Sequence, residues 1–180
     1  MRADPRSRSM FAEVFTMHGS NHAGSSGSGR GRVSHSKHHD PYERGAKSPG
    51  TVVCDACGLV GHAGRWYVGA PPVGELSGGL CPACARIRDR YPAATIRIGA
   101  RHAERFDEIR RMIANSAEAE RAEHPLERVM DAALEGGRLV VHTTGLHVAR
   151  RIVSKLERTL HAKAEIHYPD EQQLALFTLE

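Results

Sequence analysis

The chain has 180 residues, of which 40% are apolar and only 5% are aromatic, and its formal net charge is +4 at pH 7. This length suits one or two small domains. No apolar run approaches the roughly 18 residues that a membrane-spanning helix needs, and residues 10–17 lack the continuous apolar core of a secretory signal because they include Glu13. The composition therefore predicts a cytoplasmic protein with no membrane partner.

Residues 1–50 are predicted to be a disordered polar tail. They carry eight Lys or Arg against four Asp or Glu, which accounts for the whole net charge, and they hold five of the twelve histidines. A stretch with so little apolar surface to bury stays unfolded. The histidines fit either a metal-binding tract or a partly cationic tail, and the lack of a repeated spacing favours the tail. Only residues 39–42, where an aromatic follows a turn-forming proline, are expected to pack on the domain that follows.

Residues 51–92 hold the only cysteines of the chain, as two C-x-x-C pairs: Cys54 with Cys57, and Cys81 with Cys84. Two such pairs present four thiolates, which is the ligand set of a closed tetrahedral Zn²⁺ site. Short strands between the pairs predict a zinc ribbon that is too small to fold without its metal. A redox C-x-x-C pair would leave the other pair without a role, and a disulfide framework is typical of a secreted protein.

Two groups of residues in the predicted ribbon are candidates for binding nucleic acid. Arg65 and Trp66 place a guanidinium beside a planar ring, a combination that stacks on unpaired bases. Trp66 equally suits the core of a small domain with few other large apolar side chains, and this structural role is favoured. After the second cysteine pair, Arg86, Arg88 and Arg90 form a cationic segment.

Residues 93–180 predict a small α/β domain with the element order β-α-α-β-α-β-β. The predicted elements are a strand at 94–98, a helix at 101–120, a helix from Pro125 to the stop at Gly136 and Gly137, a strand at 139–141, a helix at 146–161 capped by Thr144, and strands at 163–167 and 174–179. The predicted inner faces comprise Phe106, Ile109 and Ile113 in the first helix, Leu126, Val129, Met130 and Ala133 in the second, and Ala164 and Ile166 in the strand at 163–167. The last two strands are predicted to form a hairpin.

The predicted fold class is therefore α+β. It consists of a disordered tail at 1–50, a zinc ribbon at 51–92, and at 93–180 a small α/β domain with an open sheet and helices on one face.

The helix at 146–161 separates its charged residues from its apolar ones. Its predicted core face consists of Ala149, Ile152, Val153, Leu156 and Leu160. Off this face lie four basic residues, Arg150, Arg151, Lys155 and Arg158, which are opposed only by Glu157. Such a basic surface suits RNA phosphates, although a charge block on one helix is also typical of a plain solvated face.

Five short motifs follow one another along the chain: H-D-P-Y at 39–42, C-x-x-C-G at 54–58, G-R-W at 64–66, C-P-x-C at 81–84 and H-P-L-E-R at 124–128. With these motifs, most of residues 39–180 resembles a bacterial family of short zinc-ribbon proteins. The resemblance is specific as a family tag and implies no activity.

The layout is also faintly similar to the amino-terminal part of the archaeal and eukaryotic adaptor for large-ribosomal-subunit export. In that family cysteine pairs join a small α/β domain in which an alanine and basic residues open a helix after a strand, as in residues 143–151 here. This second resemblance implies an RNA- or ribosome-associated binder. The chain lacks the adaptor's later domains and export segments, so export is not implied.

The sequence predicts no enzyme. It contains neither a phosphate-binding loop nor a nucleophile elbow, and four zinc ligands leave no cysteine free to act as a nucleophile. His142 and His147 flank a strand-to-helix turn, but no partner carboxylate lies near them in sequence, so a structural role is favoured. The leading interpretation is a non-catalytic zinc-ribbon protein that binds RNA or a ribosomal particle. The alternative is a zinc-stabilised protein-interaction or regulatory module that uses the acidic stretch at 118–131 and the basic helix.

Overall fold

The structure is a computed structural model that describes residues 40–42, 50–169 and 175–180. Most of the predicted tail therefore lies outside the described residues, as does the predicted start of the last strand at Leu174. The described residues belong to one compact unit and form three α-helices and two mixed β-sheets, which confirms the predicted α+β class. None of these helices combines the length and the apolar character that crossing a bilayer requires.

A four-stranded sheet carries the two cysteine pairs. Its strands are β1 (Thr51–Cys54), β2 (Val60–His62), β3 (Arg65–Tyr67) and β4 (Leu76–Gly79). In space they follow the order β3-β2-β1-β4, with β1 antiparallel to β2 and parallel to β4. Because β4 pairs Gly79 with Cys54, the second cysteine pair arrives beside the first, and helix α1 (Pro82–Asp89) begins directly after Cys81.

A five-stranded sheet forms the larger part of the fold. Its strands are β5 (Ala94–Ile98), β6 (Val129–Glu135), β7 (Arg138–Thr143), β8 (Glu165–His167) and β9 (Ala175–Leu179). They follow the order β6-β7-β5-β9-β8, in which only the pair β5 and β9 is parallel. Two helices, α2 (Phe106–Glu123) and α3 (Leu146–Leu160), pack on one face of this sheet, and a 3-10 helix (Ala100–Arg105) precedes α2. The division of the chain into domains at residue 92 stays a prediction.

The core of the larger sheet is formed by alternate strand residues and by the apolar stripes of the two helices. The buried strand residues are Ala94, Ile96, Ile98, Leu139, Val141, Ala175, Phe177 and Leu179. The predicted helix stripes are confirmed, since Phe106, Ile109 and Ile113 of α2 and Ala149, Ile152, Val153, Leu156 and Leu160 of α3 are all buried in this core. Alternation at period two in strands and spacings of three and four in helices place these residues inward.

The predicted second helix is wrong. Residues 129–135 of the predicted helix form β6, and Gly136 and Gly137, with φ values of 55° and 79°, make the two-residue turn of a hairpin with β7. A register shift between Val129 and Asp131 interrupts the regular alternation of the strand. Of the residues predicted to face inward, Val129 packs against the larger core and Leu126 against the core around the cysteines, whereas Ala133 is exposed.

The predicted cap of α3 is also wrong. The Thr144 hydroxyl does not cap the helix; it donates to the Leu126 carbonyl at 2.6 Å and accepts from the Arg128 amide at 2.8 Å. The free amide of Val148 in the first helical turn is instead bonded at 2.9 Å by the carboxylate of Glu127. A carboxylate there also interacts favourably with the positive end of the helix.

Substitution of Gly145 by alanine is expected to lower the free energy of unfolding by about 1–3 kcal/mol, the usual effect of overpacking. A Cβ at position 145 would overlap the carboxylate of Glu127, which would have to leave the Val148 amide. Urea unfolding followed by circular dichroism measures the effect. In a Glu127→Ala background, which itself loses about 1 kcal/mol of capping, the added methyl group should cost little. An equal loss in both backgrounds would contradict the steric explanation.

The C-terminal strands agree with the predicted hairpin in that β8 and β9 pair antiparallel. Two details differ. Ile166, predicted to face inward, is 51% exposed because β8 is an edge strand, and β9 continues across the sheet by pairing parallel with β5.

Candidate metal centre

The two predicted cysteine pairs come together in space. The Sγ atoms of Cys54, Cys57, Cys81 and Cys84 all lie within 4.8 Å of one another, and those of Cys57 and Cys81 are 3.7 Å apart. Four sulfurs around one tetrahedral zinc ion lie roughly 3.8 Å from one another, because a Zn–S bond measures about 2.3 Å. The arrangement is therefore compatible with a metal site formed by all four thiols.

Local backbone structure aims the thiols at one point. Cys54 ends β1, and the turn after it is closed by a 2.8 Å bond from the Gly58 amide to the Cys54 carbonyl, with Gly58 at a φ of 72°. Such a φ favours glycine. Cys81 is the N-cap of α1, with Pro82 in the first helical turn, where its fixed φ suits the helix. The helix then places Cys84 one turn from Cys81.

Backbone amides also point at the sulfurs. The amide of Cys81 donates to the Sγ atom of Cys54 at 3.2 Å, and the amide of Cys84 donates to that of Cys81 at 3.4 Å. These bonds favour thiolates over thiols, because a thiolate is the stronger acceptor. A cluster of thiolates is the form in which cysteine binds metal.

The ionisation of the thiols differs within the cluster. Burial raises the pKa of Cys57, but hydrogen bonds from the Arg128 guanidinium, the backbone and neighbouring cysteines outweigh burial and lower that pKa to about 6. Burial raises the pKa values of Cys81 and Cys84, and the nearby Cys57 charge raises them further. The neighbouring thiols of Cys57, Cys81 and Cys84 therefore do not ionise together unless a cation offsets their charge.

Arg128 is the residue of this site that the sequence interpretation missed. Its guanidinium donates to Cys57 Sγ at 3.3 Å and to Cys84 Sγ at 3.4 Å, while its Nε–H donates to the Pro125 carbonyl at 2.7 Å. The side chain is buried, being only 8% exposed. A guanidinium cannot lose its proton in this setting, so Arg128 supplies a permanent positive charge beside the sulfurs.

Residues 124–128 join the metal centre to the larger sheet. In this segment Leu126 packs against the small core around the cysteines, Glu127 caps α3, and Arg128 donates to two thiols. In the sequence this segment carries the H-P-L-E-R motif and predicts the start of a helix. Its chemistry became visible only once contacts between residues up to 71 positions apart were known.

Trp66 has the structural role that the sequence favoured. Its side chain is half-buried against the core around the cysteines. Its ring lies across Gly61, its partner on β2, so closely that a Cβ at position 61 would come within 2.9 Å of it. The indole ring of Trp66 can therefore pack in this position only because residue 61 has no side chain.

Arg86, predicted as a nucleic-acid contact, lies instead in a buried structural cluster. It forms an ion pair with Asp40 and lies 4.5 Å from the ring centre of Tyr42. Its side chain is 6% exposed, so it is not available to RNA phosphates. The same contacts place Asp40 and Tyr42 on α1, in agreement with the expectation that residues 39–42 pack on the following domain.

The other candidate nucleic-acid residues are exposed, except for Trp66. In the ribbon, Arg65 and Arg90 are exposed, and Arg88 is exposed while paired with the neighbouring Asp89. On α3 the four predicted basic residues, Arg150, Arg151, Lys155 and Arg158, are all exposed. Among the residues that the structure describes, Arg151 is the one of these four that lies close to acidic groups, at 3.0 Å from Glu120 and 3.8 Å from Glu123.

The histidines set aside in the sequence interpretation do have carboxylate partners in space. His142 lies 2.8 Å from Asp131 on the neighbouring strand β6, and His147 lies 3.1 Å from Glu120 on α2. Both partners are distant in sequence, which is why the pattern around the strand-to-helix turn did not reveal them.

The fold and the site thus define a small α+β protein built around a cluster of four thiols that is compatible with zinc. Comparison of the chain with protein-family models, curated proteins and solved structures gave no match. Function is therefore argued from the chemistry of the site.

Proposed function

We propose that the protein is a non-catalytic binding module that a structural zinc ion holds together and whose ligand is RNA, free or within a ribosomal particle. The observation that carries the proposal is the cluster of four thiols within 4.8 Å of one another. Four sulfur ligands complete the tetrahedral coordination of Zn²⁺ and leave no open position for a substrate. The role of the ion is then to stabilise the folded structure.

The surroundings of the thiols support zinc as the ion. Zinc with four thiolates carries a net charge of −2, which is costly to bury without compensation. Arg128 offsets part of this charge, and the amides of Cys81 and Cys84 offset more through their bonds to sulfur. Such outer contacts typically orient metal ligands and stabilise their charge.

The exposed surface of α3 supports RNA as the ligand. The single acidic residue of this helix, Glu157, is half-buried and accepts a bond from the Ala164 amide at 2.9 Å, so it is turned away from the basic side chains. Arg150, Lys155 and Arg158 are exposed and have only neutral hydrogen-bond partners among the described residues. Their charges are therefore free to attract phosphates. Arg65, Arg88 and Arg90 are further exposed basic residues on the ribbon.

Replacing Arg150, Lys155 and Arg158 together by glutamate is expected to weaken binding to a single-stranded RNA oligonucleotide. Three lost phosphate contacts should reduce the slope of log K against log salt by about 2, at roughly 0.7 per contact. Fluorescence anisotropy at several salt concentrations measures both the affinity and the slope. Arg151 is left in place because its contacts with Glu120 and Glu123 join α3 to α2.

The matched control replaces Arg101, Arg111 and Arg121, three exposed arginines outside α3, by glutamate. It changes the net charge equally and should alter the slope much less. The proposal fails if the wild-type protein does not bind RNA, or if the α3 variant and the control lose the same affinity.

A protein partner is the second candidate, favoured by apolar side chains on the ribbon. Val68, Val73 and Leu76 are 78%, 107% and 53% exposed, and Leu76 begins the edge strand β4. Exposed apolar groups beside an open strand edge are typical of protein-interaction surfaces. Size-exclusion chromatography of the protein from cells distinguishes the candidates: a complex that survives nuclease treatment indicates a protein partner.

A further inference from the structure

A second group of potential metal ligands lies where α2 ends and α3 begins. Glu120 and His124 are four residues apart at the end of α2, and His147 is the second residue of α3. One carboxylate oxygen of Glu120, Oε1, lies 3.1 Å from the Nε2 atom of His147 and 3.7 Å from that of His124. This trio shares no residue with the four-thiol site.

Glu120 is unusual because its carboxylate is buried without a hydrogen bond. Its side chain is 1% exposed, and neither oxygen has a partner that meets hydrogen-bond geometry among the described residues. The nearby His147 and Arg151 are close enough to attract the carboxylate but are not aligned as donors. A buried carboxylate in this condition is costly, and a bound cation is one of the few groups that offset such a cost.

The spacing of the three ligand atoms suits a small cation. All three lie within 4.8 Å of one another. Ligands held about 2.1 Å from a tetrahedral ion lie roughly 3.4 Å apart, which is close to the two separations from Glu120 Oε1. The imidazoles of His124 and His147 are 54% and 56% exposed, so their rings have room to close on an ion.

We propose that Glu120, His124 and His147 bind a divalent first-row transition ion. Two imidazole nitrogens and one carboxylate oxygen select ions of this class, with zinc, nickel and cobalt preferred over magnesium and calcium. Three protein ligands leave coordination positions open, and here they face solvent because both imidazoles are exposed. The proposed site therefore differs in kind from the closed four-thiol site, since its ion exchanges and accepts an external ligand.

Arg151 fits this arrangement as an outer contact. It lies 3.0 Å from Oε2 of Glu120, the oxygen not directed at the histidines, and 3.8 Å from Glu123. Carboxylates that bind metal are commonly stabilised by an outer polar or charged partner on the side away from the ion. The competing explanation is that Arg151 and the two histidines alone balance the charge of Glu120, and this explanation predicts no ion.

The test titrates Co²⁺ into the full-length protein that already contains one equivalent of Zn²⁺. We expect calorimetry to detect one further ion, with no thiolate charge-transfer absorption because the ligands are nitrogen and oxygen. His124→Ala combined with His147→Ala should weaken this binding more than roughly 100-fold, since loss of an outer contact alone costs about 10- to 100-fold. Glu120→Gln keeps the shape of the side chain and should weaken the binding as well.

The matched control replaces two tail histidines, His38 and His39, by alanine and should leave the second ion unaffected. Thermal unfolding of each variant without Co²⁺ separates loss of a ligand from loss of the fold. The proposal is overturned if no second ion binds, if the His124 and His147 variant binds it unchanged, or if the tail variant loses it.

Discussion

Replacement of Cys81 by serine is expected to abolish the ordered structure of the four-stranded sheet and α1. The core around this sheet is small: its buried members are Cys54, Leu59, Cys81, Ala83 and Cys84, so three of the five are metal-ligand candidates. Structural zinc contributes roughly 10–16 kcal/mol in zinc-finger peptides, whereas a whole domain is stable by only about 5–15 kcal/mol. Loss of the ion therefore exceeds what so small a core can offset.

Circular dichroism, thermal unfolding and the zinc content of the purified variant measure this effect together. Removing the ion from the wild-type protein with a chelator should give the same loss of structure. The control is Ala56→Ser, which introduces the same hydroxyl at an exposed position within the turn between Cys54 and Cys57. A metal-free protein that still unfolded cooperatively at the wild-type temperature would refute a structural role for zinc.

Replacement of Arg128 by methionine is expected to lower the free energy of unfolding by about 3–5 kcal/mol, the usual cost of removing one partner from a buried charge pair. The change deletes the donors to Cys57 and Cys84 and removes the cationic side chain that offsets the charge of the sulfurs. Methionine keeps much of the aliphatic stem, so the loss is chiefly electrostatic. Urea unfolding measures the stability, and transfer of zinc to a chromogenic chelator measures release of the ion, which should become faster.

Two further variants make the result specific. Arg128→Lys keeps the charge but has no planar fork to reach two sulfurs, so an intermediate stability is expected. Arg121→Met makes the same substitution at an exposed position in the last turn of α2 and should change stability by no more than about 0.5 kcal/mol. Equal stability of the Arg128→Met and Arg121→Met variants would show that the guanidinium does not support the thiol cluster.

The periodic elements of the fold could be predicted because local geometry decides them. The stripes of α2 and α3 and the alternation in β5 follow from which side chains one helix or strand can turn toward a core. The hairpin of β6 and β7 escaped prediction because the register shift after Val129 breaks that alternation.

The roles of the charged residues, unlike the periodic elements, could not be predicted from the sequence. Arg86 and Arg88 lie two positions apart on the same helix, yet Arg86 is buried against Asp40 and Tyr42 while Arg88 is exposed. The charge pattern of the sequence does not distinguish these two arginines. What separates them is a segment more than 40 positions earlier, which the sequence places only loosely.

The amino-acid sequence by itself determined the α+β class and the four candidate metal ligands, because both depend on spacing between neighbours in the chain: two residues between paired cysteines, and two or 3.6 residues per repeat in strands and helices. Only the tertiary structure decided the rest. It brought Arg128 to the thiols and Glu127 to α3, and it gathered His124 and His147 around the buried Glu120. Each of these contacts joins two different elements and therefore depends on how the elements pack. A local sequence pattern carries no information about this packing.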